Sequence, residues 1–234
     1  MNPQAALTIP AGHESAFCER VEMLLARSDC RLAKSAQQRE KIFRLRQAAC
    51  ARVGAVSQHP FPSDHYDFAG NVYLLGSYID GELASSVRLH VASTRQHRSP
   101  SLDVFDDVLR PKIDSGQVIL DCTRFVTDDH FSRVWRELPY TTIRLCTLAA
   151  EHFRADHLII AAIPSHQAFY GRAFNFRTIS EPRLHPDLAV PARLMSLNYQ
   201  IEAGDLYARY PFLRSTTDER LKLFADDAFS AVLS

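Results

Sequence analysis

Glycine is scarce, and the eight present never gather into a phosphate-cradling loop. A Gly-x-Ser-x-Gly elbow and a His-Glu-x-x-His pair are likewise missing. P-loop nucleotide chemistry, the serine-elbow hydrolases and the common zinc peptidase arrangement are thereby excluded. The five cysteines (18, 30, 50, 122 and 146) are odd in number, scattered and without a Cys-x-x-Cys pair. That pattern argues against a disulfide framework or a zinc site and for free thiols in a reducing compartment. Neither sign of charge is in excess, with 27 Lys and Arg against 27 Asp and Glu. Nothing global therefore draws nucleic acid or an anionic membrane. No apolar run reaches the roughly 20 residues a bilayer demands. The first residues also lack a basic region followed by an apolar stretch. The expectation is a cytoplasmic protein with no membrane span and no metal.

What is present is an ordinary globular composition, 46% hydrophobic and 23% charged over 234 residues, enough to bury one large core or two small ones. The stretch over 117–127, Gln-Val-Ile-Leu-Asp-Cys-Thr-Arg-Phe-Val-Thr, organises the rest. Its β-branched and apolar residues predict a buried central strand. Asp121 and Arg124 stand in its middle, where an ionised group is costly unless paired. They are either a structural ion pair or the floor of a site, and the convergence of other charges favours the site.

Helical spacing predicts helices over 14–27, broken at Ser28-Asp29, and over 35–52, where Arg46 shares a row with Phe43 and Cys50. Prolines and polar residues make 55–69 a loop whose Asp64 and Asp67 suit turns or a site above a cleft. Residues 71–80 and 83–91, joined by Asp80-Gly81, read as a hairpin with a type I′ turn, with Arg88 inside the second strand. Residues 102–109 read as a short helix or turn carrying Phe105. A helix over 138–153, an apolar strand over 158–163, a short helix from Pro164 to Tyr170, strands over 174–179 and 193–201, and helices over 204–213 and 216–231 complete the chain. This order predicts an α/β fold, a mixed central sheet flanked by helices.

The motifs in this order resemble the acyl-homoserine-lactone (autoinducer) synthase and N-acyl amino acid synthase branch of the GNAT acyltransferases. Leu45-Arg46, Asp64-His65-Tyr66-Asp67, Arg88-Leu89, Phe105 and Asp121-Cys122-Thr123-Arg124-Phe125 follow the Leu-Arg, Asp-x-x-Asp, Arg-Leu, Phe and Glu-x-Ser-Arg-Phe series of autoinducer enzymes. Cys50 stands where a Phe belongs, Asp121 for Glu and Thr123 for Ser. Tyr170 to Phe176 is similar to the GNAT Tyr-x-x-x-Gly-Phe passage, with Asn175 in the glycine place. The resemblance covers roughly 40–200 and implies one GNAT-like acyltransferase domain over 1–234, with the N-terminal helix and two C-terminal helices as additions. The tryptophan typical of autoinducer enzymes is missing, and Pro60-Phe61-Pro62 takes its region. That departure favours the N-acyl amino acid synthase side. The pyrophosphate loop of coenzyme-A-dependent relatives is also absent, and Asp128-Asp129-His130 stands in its place. Negative charge there repels a pyrophosphate.

The expected reaction is transfer of a long-chain acyl group from the phosphopantetheine thioester of an acyl carrier protein to the α-amine of an amino acid, without another cofactor. The alternatives are a homoserine-lactone-type synthase and a non-catalytic acyl-binding domain. Asp121 is the candidate base, acting through a water. Arg124 points to the opposite face unless a bulge redirects it. Arg46, Asp64, Asp67, Arg88 and Arg124 are expected to cluster, with Arg88 holding the acceptor carboxylate; Phe105 and Phe125 complete the substrate site. Tyr170 is a proton donor to the leaving thiol or a packed helix tyrosine. Cys122 reads as a buried thiol and His152, His157 and His166 as surface or capping histidines. Arg154, Arg172, Arg177 and Arg183 are a solvated face or a landing patch for an acidic carrier, with Arg154 and Arg172 as the docking candidates.

Overall fold

The computed structural model describes residues 11–53, 62–186, 188 and 190–224. A seven-stranded sheet runs through it in the order β1-β2-β3-β4-β5-β7-β6. β2 (Val72–Ile79) and β3 (Glu82–Ala92) form the predicted hairpin. Asp80 and Gly81 both take positive φ, 51° and 86°, as a type I′ turn requires. β3 pairs antiparallel with β4 (Ile119–Thr127), and β4 pairs parallel with β5 (His157–Ala162). β7 (Arg193–Asn198) closes antiparallel on β5, with the short β6 (Arg177–Thr178) outside it.

Alternation along the strands sends Leu75, Leu89, Leu120 and Cys122 to one face, where α6 (Leu138–Phe153) lies with Leu145, Leu148 and Phe153 buried against them. α1 (Ala11–Ala26), α8 (Tyr199–Arg209) and α9 (Thr217–Phe224) complete that layer. The other face takes Ile42 and Phe43 of α2 (Ala36–Val53) on Leu74, and Leu102, Phe105, Leu109 and Ile113 on Ile119, Ile159 and Leu194. The result is the expected mixed sheet between two helical layers.

The differences from expectation have local causes. Residues 28–32 form a strand, β1 (Ser28–Leu32), on the edge of β2, although the sequence there reads only as a break. The expected single element over 102–109 is two helices, α3 (Pro100–Val104) and α4 (Asp106–Asp114). Ser99 caps α3 through Leu102 N–H at 3.2 Å with Pro100 in its first turn, and Phe105 at φ −120° ends it. A further turn of helix, α5 (Asp129–Val134), follows β4. α7 (Pro164–Phe174) outlasts Tyr170 by a turn and stops at Asn175, whose φ of 58° breaks the helix, so the following strand is only two residues long. The last strand ends at Asn198, and α8 begins where its continuation was expected. Positions 54–61, including Pro60 and Phe61, and the end of the last predicted helix lie outside the described residues.

Candidate active site

The site begins with two irregularities in β4. Pairing with β3 shifts register between Ser86 and Arg88, so Val87 alone stands opposite Arg124 and Phe125. Arg124 takes φ 51°, the left-handed region that non-glycine residues seldom occupy, and this bulge turns its side chain towards the same face as Arg88 and Thr123. On its other edge β4 pairs with β5 only from Ile119 to Asp121, against His157 to Ile159. Beyond Asp121 the two strands part and leave a fork open towards their C-terminal ends.

On the α6 face the fork continues into an apolar crevice of about 450 Å³, counting its open part. Cys122, Phe125, Ile160, Tyr170, Phe174 and Leu206 are among its walls. Burial pushes the Tyr170 phenol well above its ordinary pKa, with the Cys146 and Cys122 thiols adding to the shift. The Cys122 thiol is itself raised by its hydrogen bond with Cys146 and by burial, so it is no nucleophile.

The opposite face carries the charges. Asp64 caps the 3-10 turn His65–Phe68 by accepting from Tyr66 N–H at 2.8 Å, while Asp67 Oδ2 accepts from Asp64 N–H at 2.9 Å. This reciprocal cap holds both carboxylates towards the sheet. Arg88 Nη1 meets Asp64 Oδ1 at 2.7 Å and Asp67 Oδ1 at 3.4 Å, and its Nε donates to Thr123 Oγ1 at 2.9 Å. Arg124 Nη2 reaches Asp64 Oδ2 at 2.9 Å, and Arg46 Nη1 reaches Asp67 Oδ1 at 2.8 Å. Burial opposes ionisation of Asp64, but the charge and hydrogen bond of Arg88, then Arg124, outweigh it and hold its pKa at about 2. Arg46 is 1% exposed, and its Nε and Nη2 find no hydrogen-bond acceptor. Burial lowers its pKa to about 10 against the pull of Asp67.

Asp121 sits where the fork begins, on this charged face and opposite His90 in register. It is wholly buried, and its carboxylate accepts from Ser101 N–H at 3.1 Å and Ser101 Oγ at 2.8 Å, with a further bond from the Ser99 hydroxyl. Burial dominates these bonds and pushes its pKa up to about 6. A carboxyl that changes charge near neutral pH, at the edge between an apolar crevice and an ion cluster, suits proton abstraction.

A family model, that of the N-acyl amino acid synthase FeeM, matches residues 41–198. The chain belongs to the FeeM family of N-acyl amino acid synthases. Among solved structures, FeeM from uncultured soil microbes superposes with a TM-score of 0.65 at 14% identity, over 78% of this chain and 97% of that one. BjaI, a CoA-dependent acyl-homoserine lactone synthase solved with MTA, gives 0.52 at 15% identity, over 78% and 89%. An N-acetyltransferase fold from Lactobacillus plantarum gives 0.50 at 14%, over 72% and 96%. Comparison with curated protein sequences returns no match. This FeeM-family chain is thus an N-acyltransferase with the GNAT fold.

Within the family member the expected residues fall into three groups. Arg46, Asp64, Asp67, Arg88 and Arg124 come together, and Phe125 and Tyr170 line the crevice. Phe105 is fully buried in the packing of α3 and α4, with the Arg183 guanidinium 5.2 Å from its ring centre, on the sheet face away from the crevice. Arg154 and Arg172 are exposed, at the ends of α6 and α7. Arg154 ends the 16-residue α6, ~24 Å along the axis from its start beside the fork. Arg172 is in the last turn of α7, between Tyr170 and Phe174, which line the crevice. Ser99, Ser101 and His185 belong to the Asp121 environment and were not read from the sequence. The pair Ser99-Pro100 carries a helix-cap signal, but nothing in sequence aims it at Asp121.

Proposed function

We propose that the chain transfers a fatty acyl group from an acyl carrier protein thioester to the α-amino group of an amino acid. The observation that carries this reading is the fork, which joins an apolar crevice on one face of β4 to a cluster of arginines and aspartates on the other. In this reading the acyl chain fills the crevice and brings its carbonyl to the point where β4 and β5 separate. The β4 edge beyond Asp121 has no ladder with β5, so its backbone N–H groups can receive the carbonyl oxygen as charge develops. The acceptor enters from the charged face and presents its ammonium to Asp121, which takes one proton through a water as the nitrogen attacks. Arg124 steadies the approach of Asp64 and the acceptor at the bulge. Tyr170 stays protonated at neutral pH and is placed to give a proton to the departing thiolate.

Sequence reasoning gives Arg88 the acceptor carboxylate. Its guanidinium is engaged by Thr123, Asp64 and Asp67. Arg46 keeps two buried donors without an acceptor, a costly state that a bidentate carboxylate would relieve. We assign the carboxylate to Arg46.

Carrier-protein donation is supported by the helix starts beside the fork. Asp128 Oδ1 already accepts from His130 and Phe131 N–H at 2.8 and 3.2 Å, filling the start of α5. α6 begins with Glu137 at its cap and Pro139 in its first turn, which puts a carboxyl near the helix end and removes one N–H. The filled start of α5 offers a nucleotide pyrophosphate no free amides.

The test is mass spectrometry of reactions holding the purified chain, dodecanoyl carrier protein and the twenty amino acids. N-dodecanoyl amino acids are expected. Acyl lactone formed only with S-adenosylmethionine, or no acyl product with any amine, would overturn the assignment.

A further inference from the structure

The buried polar groups around Asp121 form a line that acyl transfer as described above does not use. Ser101 Oγ donates to Asp121 Oδ1 at 2.8 Å and lies 3.5 Å from His185 Nε2. All three are deeply buried, Asp121 and Ser101 at 0% exposure and His185 at 2%. Such a row of hydrogen-bonding groups is costly to bury and polarises along its length.

His185 is carried by a segment that crosses α3 and α4 between β6 and β7, and that segment is fastened on both sides. Arg183 forks onto Asp107 with 2.6 and 2.7 Å contacts and donates to Val104 O at 2.9 Å. Its backbone exchanges both hydrogen bonds with Ala192, at 2.9 and 2.8 Å. Leu194 N–H donates to Ser180 Oγ at 2.8 Å. These ties set His185 over Ser101, and a histidine held beside a hydroxyl–carboxylate pair is chemically more than filler.

We infer that Asp121, Ser101 and His185 form a buried proton-transfer chain, in which Ser101 and His185 are positioning residues that set and relieve the charge state of the base. The inference rests on the acyl-transfer reading with Asp121 as base. Conversion of the acceptor ammonium into an amide nitrogen releases two protons overall, the first before the amine can attack. One passes to Asp121 and the other to solvent. The protonated carboxyl gives its proton to Ser101 Oγ while the serine hydroxyl proton moves to His185 Nε2. A neutral acid and a neutral imidazole thus become a carboxylate and an imidazolium, with the serine unchanged. The reverse relay returns that proton to Asp121 and through the water to Tyr170, which gives its own proton to the thiolate; the thiol leaves and the chain is reset.

Among the described residues, the charged and titratable groups that face this line come from β3. Arg88 and His90 approach from β3, and Arg88 favours the Asp121 carboxylate. His90 Nε2 is paired with Tyr66 O at 3.1 Å, and β5 offers only Ile159 at this level. His185 is therefore the imidazole in line with the serine.

The experiment pairs a titration that needs no turnover with kinetics. In the full chain labelled with 13C at aspartate carboxyls and histidine Cε1, the Asp121 carboxyl signal is expected to titrate near pH 6, with the His185 signal moving in the same step. Ser101→Ala should separate the two transitions, and Ser101→Thr should keep them joined. His185→Gln keeps a side-chain amide beside Ser101 but cannot store a proton. With dodecanoyl carrier protein and an accepted amino acid it should lower kcat about tenfold or more, flatten its pH profile and leave both KM values within about twofold. Independent titration of His185 in the unaltered chain would overturn the chain, as would a wild-type kcat–pH profile in His185→Gln. Absence of any N-acyl product from the unaltered chain would remove the transferase reading instead, and the coupled titration would still decide whether the relay exists.

Discussion

Asp64 joins the loop ahead of β2 to two strands, because one carboxylate meets Arg88 of β3 and Arg124 of β4. Its folded pKa, held at about 2, lies below the ordinary carboxylate value of about 4. A depressed carboxyl adds stability above its unfolded pKa, and that stability is lost as pH falls from about 4 through about 2. Asp64→Asn should therefore cost about 2 kcal/mol in urea unfolding at pH 7 and much less at pH 2. Equal costs at the two pH values would mean that the charge pair is not the source. Asp121 has the opposite sign. Its raised pKa means that stability present below pH 4 is lost as pH rises through about 6, while the ionised form becomes available as a base. Activity should rise with pH through about 6 as one group titrates, and Asp121→Asn should fold but lose most turnover, about a hundredfold or more. Near-wild-type turnover in soluble Asp121→Asn would remove Asp121 as base. At Arg46, replacement by Lys keeps a cation for Asp67 but loses the planar fork. The KM for the amino acid should rise about tenfold while that for the acyl donor stays put. Equal changes in both constants would point to general loosening rather than a carboxylate contact.

The parting of β4 and β5 lets one sheet serve two substrates, since each side of the fork inherits a different helical layer. The α6 side is apolar because strand alternation and the faces of α6, α7 and α8 agree, and Leu206 of α8 closes part of the crevice with Leu197 and Phe176. Filling this end by Leu206→Trp should shift product from long toward shorter acyl chains, read as the ratio of dodecanoyl to hexanoyl products in a mixed-donor assay. Overpacking should cost about 1–3 kcal/mol of stability. An unchanged ratio in a folded variant would place the chain terminus elsewhere. The charged side was legible in sequence because Asp121, Arg124 and Arg88 interrupt apolar strands, where a charge must find a partner. The matching aspartates stand in the adjoining loop. The bulge at Arg124 is one of the two arrangements the spacing of Asp121 and Arg124 leaves open, and the register shift against β3 decides for it. The Ser99–Ser101 link and His185 were not legible, because serine before a helix and histidine in a loop are ordinary, and only the tertiary path brings them to Asp121. β1 escaped for a similar reason. Ser28-Asp29-Cys30-Arg31-Leu32 has little strand character, and pairing with the β2 edge decides its conformation.

At the scale of the whole molecule, 27 cations balance 27 anions, so no net field steers a charged donor to the fork and selection must be local. The helix starts there favour the carrier-bound donor. Asp128 fills the amides of α5, so a nucleotide would bring phosphate charge to its carboxyl, while Glu137 at the start of α6 is paired with Arg20 at 2.7 Å. A carrier protein brings only its pantetheine arm into the fork and leaves its acidic surface outside. Arg154 stands a helix length from the start of α6, whereas Arg133 of α5 and Arg136 just beyond it are exposed close to that start. Arg133 is paired with Asp129 at 2.6 Å, but so exposed a pair contributes little and can open to a partner. Acyl carrier protein should therefore be used with a kcat/KM about tenfold or more above that of the same acyl-coenzyme A. Arg133→Glu with Arg136→Glu should raise the KM for acyl carrier protein about tenfold at low salt. The difference should shrink as salt shortens the Debye length, and Arg154→Glu should leave the KM alone. An acyl-N-acetylcysteamine thioester, which carries neither protein nor nucleotide, should serve wild type and the double variant equally. Equal efficiency with the coenzyme A thioester at moderate salt would sink the donor assignment. A double variant that lost activity toward the small thioester as well would show that α5 shapes the fork itself rather than a docking surface.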